Sequence, residues 1–150
     1  MKIKNPVDYF TEYLRRNKLR VTPERFEILD MVLNCDGHFD ADDLFLRMKH
    51  AGSKVSRATV YNTLEKLTDC GIISRYRFGE RLARYELTYG NEHHHHIICR
   101  NCGRIDEFID KRVDRFARDA ARIMRFTFED AVLHIYGECT ECRVDRSKNT

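Results

Sequence analysis

The sequence predicts an α+β protein of two small domains, the first mainly helical and the second built around a short sheet. Three observations predict it. Residues 1–70 carry apolar side chains at helical spacing, two short strand-like runs follow, and residues 91–150 hold two closely spaced pairs of cysteines. A chain of 150 residues has room for two small domains, each with its own core.

Four helices are predicted before residue 72, each from an apolar stripe and a start or stop signal. A polar side chain can cap the first turn, proline suits the first helical position, and glycine ends a helix. The expected boundaries are Val7 to Asn17, Thr22-Pro23 to Gly37, Asp40 to Gly52, and Ser56 to Gly71. The fourth helix has Val60, Leu64 and Leu67 on one side, so that side should be buried.

Two strand-like runs follow the helices, at residues 73–78 and 82–87. Residues 79–81 between them are the size of a hairpin turn. A winged helix-turn-helix domain has this element order, in which helices are followed by a two-stranded hairpin. We assign such a domain to residues 1–88.

The fourth helix carries polar side chains away from its apolar stripe. Arg57 and Thr59 lie in its first turn and Tyr61 and Asn62 further along, which suits a helix that enters a major groove. An ordinary surface helix is the alternative. The net charge of +3 is too small to indicate a nucleic-acid partner alone, but the positive excess lies in residues 1–90. Its densest cluster comprises Arg15, Arg16, Lys18, Arg20 and Arg25, of which we expect Arg20 to contact phosphate.

A hinge is expected at residues 89–92, followed by a small α/β domain at residues 93–150. Its expected elements are strands at about residues 94–99 and 105–109, an amphipathic helix at about 111–124, and a last strand through 126–136. About 60 residues is near the size at which a core alone gives marginal stability, and metals or oligomerisation commonly help.

The chain is expected to stay in the cytoplasm. No apolar run approaches the roughly 20 residues of a membrane span, and the first residues lack the apolar core of a signal peptide. Cytoplasmic thiols are kept reduced, so six cysteines indicate metal ligands before disulfides.

Four of the cysteines form two pairs, Cys99 with Cys102 and Cys139 with Cys142. Each spacing lets both thiolates of a tight turn reach one ion, and four thiolates suit a closed, structural zinc site. Iron in a thiolate cage is the main competitor, and a redox dithiol or two unrelated buried pairs are the alternatives. Cys35 and Cys70 lie in helical patterns and are interpreted as small core residues.

Four consecutive histidines, His93 to His96, lead directly into the first cysteine pair. On a strand, alternate side chains share a face, so His94 and His96 would point one way and His93 and His95 the other. Each such pair can place two imidazoles on one cation. The stretch therefore predicts ligands for two different sites.

These pieces, in this order, resemble the ferric uptake regulator family over about residues 8–143. The motifs that carry the resemblance are residues 20–25, 38–44, 58–64, 93–103 and 135–142. The resemblance implies a homodimeric repressor that binds a palindromic operator in double-stranded DNA when it is loaded with Fe²⁺ or another divalent metal. It also implies that the four-cysteine site holds a structural Zn²⁺ in the domain that forms the dimer.

The resemblance further implies two ligand sets. The regulatory set would comprise His38, Glu86, His94, His96 and Glu107, which lie on both sides of the hinge. A cation bound to all of them would favour one interdomain angle. An auxiliary site would use His93, His95 and Asp114 plus a family histidine whose position is Ala131 here. His134 is nearby but three residues out of register.

The effector has several candidates. Glu86 resembles the iron-type ligand, whereas Asn62 resembles the peroxide-sensing branch, and zinc or manganese sensing is a further alternative. Two other function classes are a metallohydrolase, for which no His-Glu-x-x-His motif is present, and a zinc-ribbon interaction module that does not contact DNA. We favour an iron-dependent repressor without enzymatic activity.

Overall fold

The computed structural model describes residues 5–77 and 83–148. Its helices are α1 (Pro6–Arg16), α2 (Pro23–Leu33), α3 (Ala41–His50), α4 (Arg57–Asp69), α5 (Lys111–Ile123) and α6 (Thr140–Lys148). Its strands are β1 (His38–Phe39), β2 (Ile73–Tyr76), β3 (Arg84–Leu87), β4 (His95–Cys99), β5 (Ile105–Phe108) and β6 (His134–Gly137). The predicted hairpin turn at residues 79–81 lies outside the described residues. The α+β class is confirmed.

Local capping chemistry explains where the first four helices begin. Asp40 Oδ1 accepts a hydrogen bond of 2.7 Å from the backbone of Asp43, and Ser56 Oγ accepts one of 3.1 Å from Thr59. Thr22 stands at the start of α2 with extended backbone but makes no side-chain cap bond, so Pro23 is the start signal there. The predicted end of α2 at Gly37 is wrong, because the helix ends at Leu33.

The helices enclose the core of the first unit. The predicted stripe on α4, Val60, Leu64 and Leu67, is fully buried there. Cys35 and Cys70 also belong to this core, as predicted. Burial of a Leu or Val side chain contributes about 1.5–3 kcal/mol, so this stripe anchors α4 with its other side exposed.

A three-stranded antiparallel sheet in the order β1-β3-β2 completes the first unit. His38 precedes the predicted third helix, and no strand was predicted there. It lies on β1, directly opposite Glu86 on β3. A two-residue strand is too short for side-chain alternation to reveal it, and only its pairing with β3 defines it.

The second unit contains a mixed sheet in the order β5-β4-β6, with β6 parallel to β4. The expected long strand through residues 126–136 is wrong, because only its end is paired, as β6. α6 was not predicted and begins between the last two cysteines. No residue of α5, all of which the structure describes, is buried.

The described chain divides into two compact units between Glu92 and His93. Within the first, Asn91 Nδ2 donates to the carbonyl of Leu87 at 2.6 Å. Among the described residues, no helix is both long and apolar enough to cross a membrane.

Candidate metal centres and nucleic-acid interface

The four predicted cysteine ligands converge in the second unit. Their sulfur atoms all lie within 4.8 Å of one another, with 3.8 Å between Cys99 and Cys142 and 3.8 Å between Cys102 and Cys139. Four sulfurs placed tetrahedrally at about 2.3 Å from a zinc ion are about 3.8 Å apart. The spacing of these thiols therefore matches that of a closed zinc site.

The electrostatics of the cluster also suit a cation. Backbone N–H groups of Cys102 and Cys139 lower the pKa of Cys99 to about 6. The neighbouring thiols Cys139 and Cys102 raise the pKa of Cys142 to about 12. Thiols this close cannot all ionise by themselves, since each new charge repels the others, and a divalent cation offsets that repulsion. The donor set fits Zn²⁺.

Two of the predicted regulatory ligands meet in the first unit. The β1–β3 register brings His38 Nε2 to 3.4 Å from Glu86 Oε2, and both side chains are largely buried. A buried imidazole beside a carboxylate is a ready pair of ligands for a divalent ion.

The other three predicted regulatory ligands meet in the second unit. His94 Nε2 lies 3.8 Å from Glu107 Oε2, and the rings of His94 and His96 are 5.0 Å apart. His96 is the register partner of Glu107 across β4 and β5, so the three side chains share one face. Imidazole and carboxylate ligands of this kind suit Fe²⁺, Mn²⁺ or Zn²⁺.

The auxiliary ligands lie on the opposite face of β4. Asp114 Oδ1 on α5 is 3.6 Å from Nε2 of both His93 and His95, so the three side chains come together. At the family's fourth position the methyl side chain of Ala131 cannot ligate, and its carbonyl is 2.7 Å from Nε2 of His93. His134 does not replace it, because it pairs with His96 and faces the other way.

The predicted DNA-contacting side chains lie on the exposed side of α4 and near its start. Tyr61 is 46% exposed, Arg57 and Asn62 are exposed, and Thr59 is half-buried. Arg20 is exposed before α2, and its carbonyl accepts a 2.8 Å bond from Arg25.

Sequence reasoning missed Asp42, which orders this surface. Its Oδ1 accepts hydrogen bonds from Tyr61 Oη at 2.8 Å and Arg57 Nε at 2.9 Å. Both hydrogen bonds lower the pKa of Asp42 below its usual value, and the bond from Tyr61 has the larger effect. Asp42 lies on α3, and only the packing of α3 against α4 brings it to these residues. The acidic run at residues 42–43 after the Asp40 cap was the available signal.

Comparison with known proteins decides the family. Residues 16–136 match the ferric uptake regulator family, which is most of the chain. The chain belongs to this family. It is 35% identical over 135 residues to the ferric uptake regulation protein of Escherichia coli (strain K12), covering 88% of this chain and 90% of that relative.

Two further proteins are similar to this chain over most of its length. The peroxide operon regulator of Bacillus subtilis (strain 168) is 33% identical over 131 residues, which are 87% of this chain and 89% of that one. The solved structure of the ferric uptake regulator from Francisella tularensis with iron superposes with a TM-score of 0.70 at 36% identity, covering 83% of this chain and 95% of that one.

Family membership decides the broad class of function. Ferric uptake regulator proteins are metal-responsive transcription regulators that bind DNA and are generally dimeric. The chain is therefore a transcription regulator and not an enzyme, which excludes the metallohydrolase alternative.

Proposed function

We propose that the chain is an iron-dependent repressor that binds a palindromic operator as a homodimer. The observation that carries the proposal is the grouping of the expected regulatory ligands, His38 with Glu86 in the first unit and His94, His96 and Glu107 in the second. A cation that binds ligands from both groups favours one arrangement of the units. The size of this effect equals the difference in its binding free energy between that arrangement and the others. Its target is DNA, so we expect the protein to act in the cytoplasm.

We assign the parts of the chain accordingly. Residues 1–88 are the winged-helix DNA-binding domain, residues 89–92 the hinge, and residues 93–150 the dimerisation and metal-sensing domain. Support for the last role comes from apolar side chains that one copy of the chain leaves exposed. They include Phe116, Ile123, Met124 and Phe126 in and after α5, and Ile97 and Ile135 on the sheet. Exposed apolar side chains in such number are typical of a protein interface.

Loss of Arg20 and loss of Tyr61 should have different effects on DNA binding. Arg20→Ala removes one phosphate contact, so we expect weaker binding to every duplex. The slope of log K against the logarithm of the salt concentration should become less steep by about one. Tyr61→Ala or Asn62→Ala should mainly reduce the preference for operator over unrelated duplex, by about 1–3 kcal/mol for a base contact. Fluorescence anisotropy at several salt concentrations measures both quantities.

The matched control for Arg20 is Arg47→Ala, which removes the same charge from the exposed Arg47–Asp43 pair on α3. We expect no change in the salt dependence for Arg47→Ala. Asp42→Asn should behave like a weaker Tyr61→Ala, since it loosens the two side chains that Asp42 holds. An unchanged salt dependence in Arg20→Ala would contradict the role assigned to that residue.

The effector is tested by operator binding at buffered concentrations of free Fe²⁺, Mn²⁺, Zn²⁺ and Ni²⁺. The operator duplex is first selected from random-sequence DNA by the metal-loaded protein. We expect Fe²⁺ to give the tightest binding at its cellular concentration, because Glu86 resembles the iron-type ligand. Binding that no metal improves would contradict the proposed function.

Peroxide sensing is the second candidate, favoured by Asn62 and by the likeness to the B. subtilis peroxide operon regulator. Its signature would be one oxygen added to His38 or His94 when the Fe²⁺-loaded protein meets modest peroxide, together with release of DNA. We expect mass spectrometry to find slow or no oxidation. Rapid stoichiometric oxidation would instead support the peroxide sensor.

A further inference from the structure

Three side chains of types that can bind metal lie side by side across the sheet of the second unit. His96 on β4 is the register partner of Glu107 on β5 and also of His134 on β6, so all three share one face. His94 lies on that face as well, with its Nε2 3.8 Å from Oε2 of Glu107. The face therefore carries three imidazoles and one carboxylate, all from the same unit.

We propose that His134 is a metal ligand, and that His94, His96, His134 and Glu107 hold a divalent cation within the second unit alone. This inference rests on the proposed function, to which it adds one ligand beyond those that the family resemblance implied. Three imidazoles with one carboxylate favour cations such as Zn²⁺, Co²⁺ or Ni²⁺ over Mn²⁺, which prefers oxygen ligands.

The spacing of the rings fits ligation of one ion. The ring centres of His94 and His96 are 5.0 Å apart and those of His96 and His134 are 5.3 Å apart, with interplanar angles of 78° and 63°. With metal–nitrogen bonds of about 2.1 Å, two imidazoles on one tetrahedral ion have ring centres about 5 Å apart. The ring centres of each neighbouring pair of histidines on this face are therefore about as far apart as those of two imidazoles bound to one cation.

A packing role for His134 is the competing explanation. Its ring lies 6.5 Å from that of Tyr136, nearly perpendicular to it, which is an ordinary aromatic contact. Phenylalanine at this position can keep the ring contact but offers no lone pair to a metal. His134→Phe thus separates ligation from packing.

The consequence for sensing concerns how much of the binding free energy depends on the arrangement of the two units. A cation that already has four ligands from the second unit gains less binding free energy from His38 and Glu86. It therefore shifts the equilibrium between the arrangements of the two units less. His134 would then let the second unit retain metal that does not by itself switch on DNA binding.

The test uses the full chain with its four-cysteine site loaded with zinc. His38→Ala and Glu86→Gln are introduced, and His95→Ala removes a ligand of the separate group that His95 forms with His93 and Asp114. Co²⁺ is titrated against a competing chelator, and X-ray absorption counts the imidazoles bound to it. We expect this protein to bind one Co²⁺ through three imidazoles. Adding His134→Phe should weaken Co²⁺ binding at least about tenfold, as loss of even an outer-shell partner often does, and reduce the count to two.

Two controls make the result decisive. His94→Ala should weaken Co²⁺ binding as His134→Phe does, whereas His50→Ala on α3 should leave Co²⁺ binding unchanged. An unchanged Co²⁺ affinity in His134→Phe would overturn the proposal. If His134→Phe does not fold, the number of imidazoles bound to Co²⁺ in the protein that retains His134 tests the proposal instead. A count of two imidazoles there would also overturn the proposal. Because the readout is metal affinity, this result is independent of whether the natural chain shows metal-dependent operator binding.

Discussion

Cys99→Ser is expected to unfold the second unit and to abolish the dimer, beyond any effect on metal sensing. Cys99 is buried, and its sulfur contacts Cys142 at 3.8 Å and accepts a hydrogen bond from the backbone of Cys139. Structural zinc contributes about 10–16 kcal/mol of apparent binding free energy in small zinc domains. Domain stabilities are about 5–15 kcal/mol, so loss of the ion should exceed what this unit can tolerate.

The measurements for Cys99→Ser are zinc content, circular dichroism and sedimentation. We expect one tightly bound zinc per natural chain and none at this site in the variant, which should sediment as monomer or aggregate. Cys35→Ala is the matched control, because it removes a buried thiol from the first unit and should keep both zinc and dimer. A folded, dimeric Cys99→Ser protein without zinc would refute the structural role of the four-cysteine site.

His38→Ala should separate metal binding by the four cysteines from control of DNA binding. His38 contacts Glu86 within the first unit, far along the chain from the cysteines. The variant should keep its structural zinc and its dimer, yet gain no operator affinity when effector metal is added. A metal-dependent gain of about 100-fold, which corresponds to about 2.7 kcal/mol of coupling, would be lost in the variant.

Comparison with the other face of β4 tests the specificity of this effect. His95→Ala removes a ligand of the group formed with His93 and Asp114, in which position 131 offers no ligating side chain. We expect it to retain most of the metal-dependent gain, while Glu86→Gln should resemble His38→Ala. Equal losses in His38→Ala and His95→Ala would mean that the two ligand groups do not act as separate sites.

Short-range patterns predicted much of this molecule. The cap residues Asp40 and Ser56 and the stripe of α4 were correct because capping and amphipathic burial depend on residues within one or two turns. The spacing of Cys99 and Cys102 predicted their convergence, because a two-residue turn places both sulfurs on the same side. Alternation likewise predicted which face of β4 each histidine occupies.

The sequence did not predict which strands distant in the chain pair with one another. β1 has two residues and no detectable period, and the strand expected over residues 126–136 is paired only at its end, where β6 meets β4. The helix α6 was missed because its first turn lies between Cys139 and Cys142, whose spacing was interpreted as a tight turn.

By itself, the sequence determined the class of the protein, the membership of the four-cysteine cluster and most of the residues that we expect to bind metal, because these depend on residue type and local spacing. Tertiary structure alone decided that Asp42 holds Tyr61 and Arg57, and that His134 stands beside His96. Both contacts join elements distant in the chain. Their register is set by helix packing and by backbone hydrogen bonds between strands, and a shift of one residue along β6 would have turned His134 to the other face.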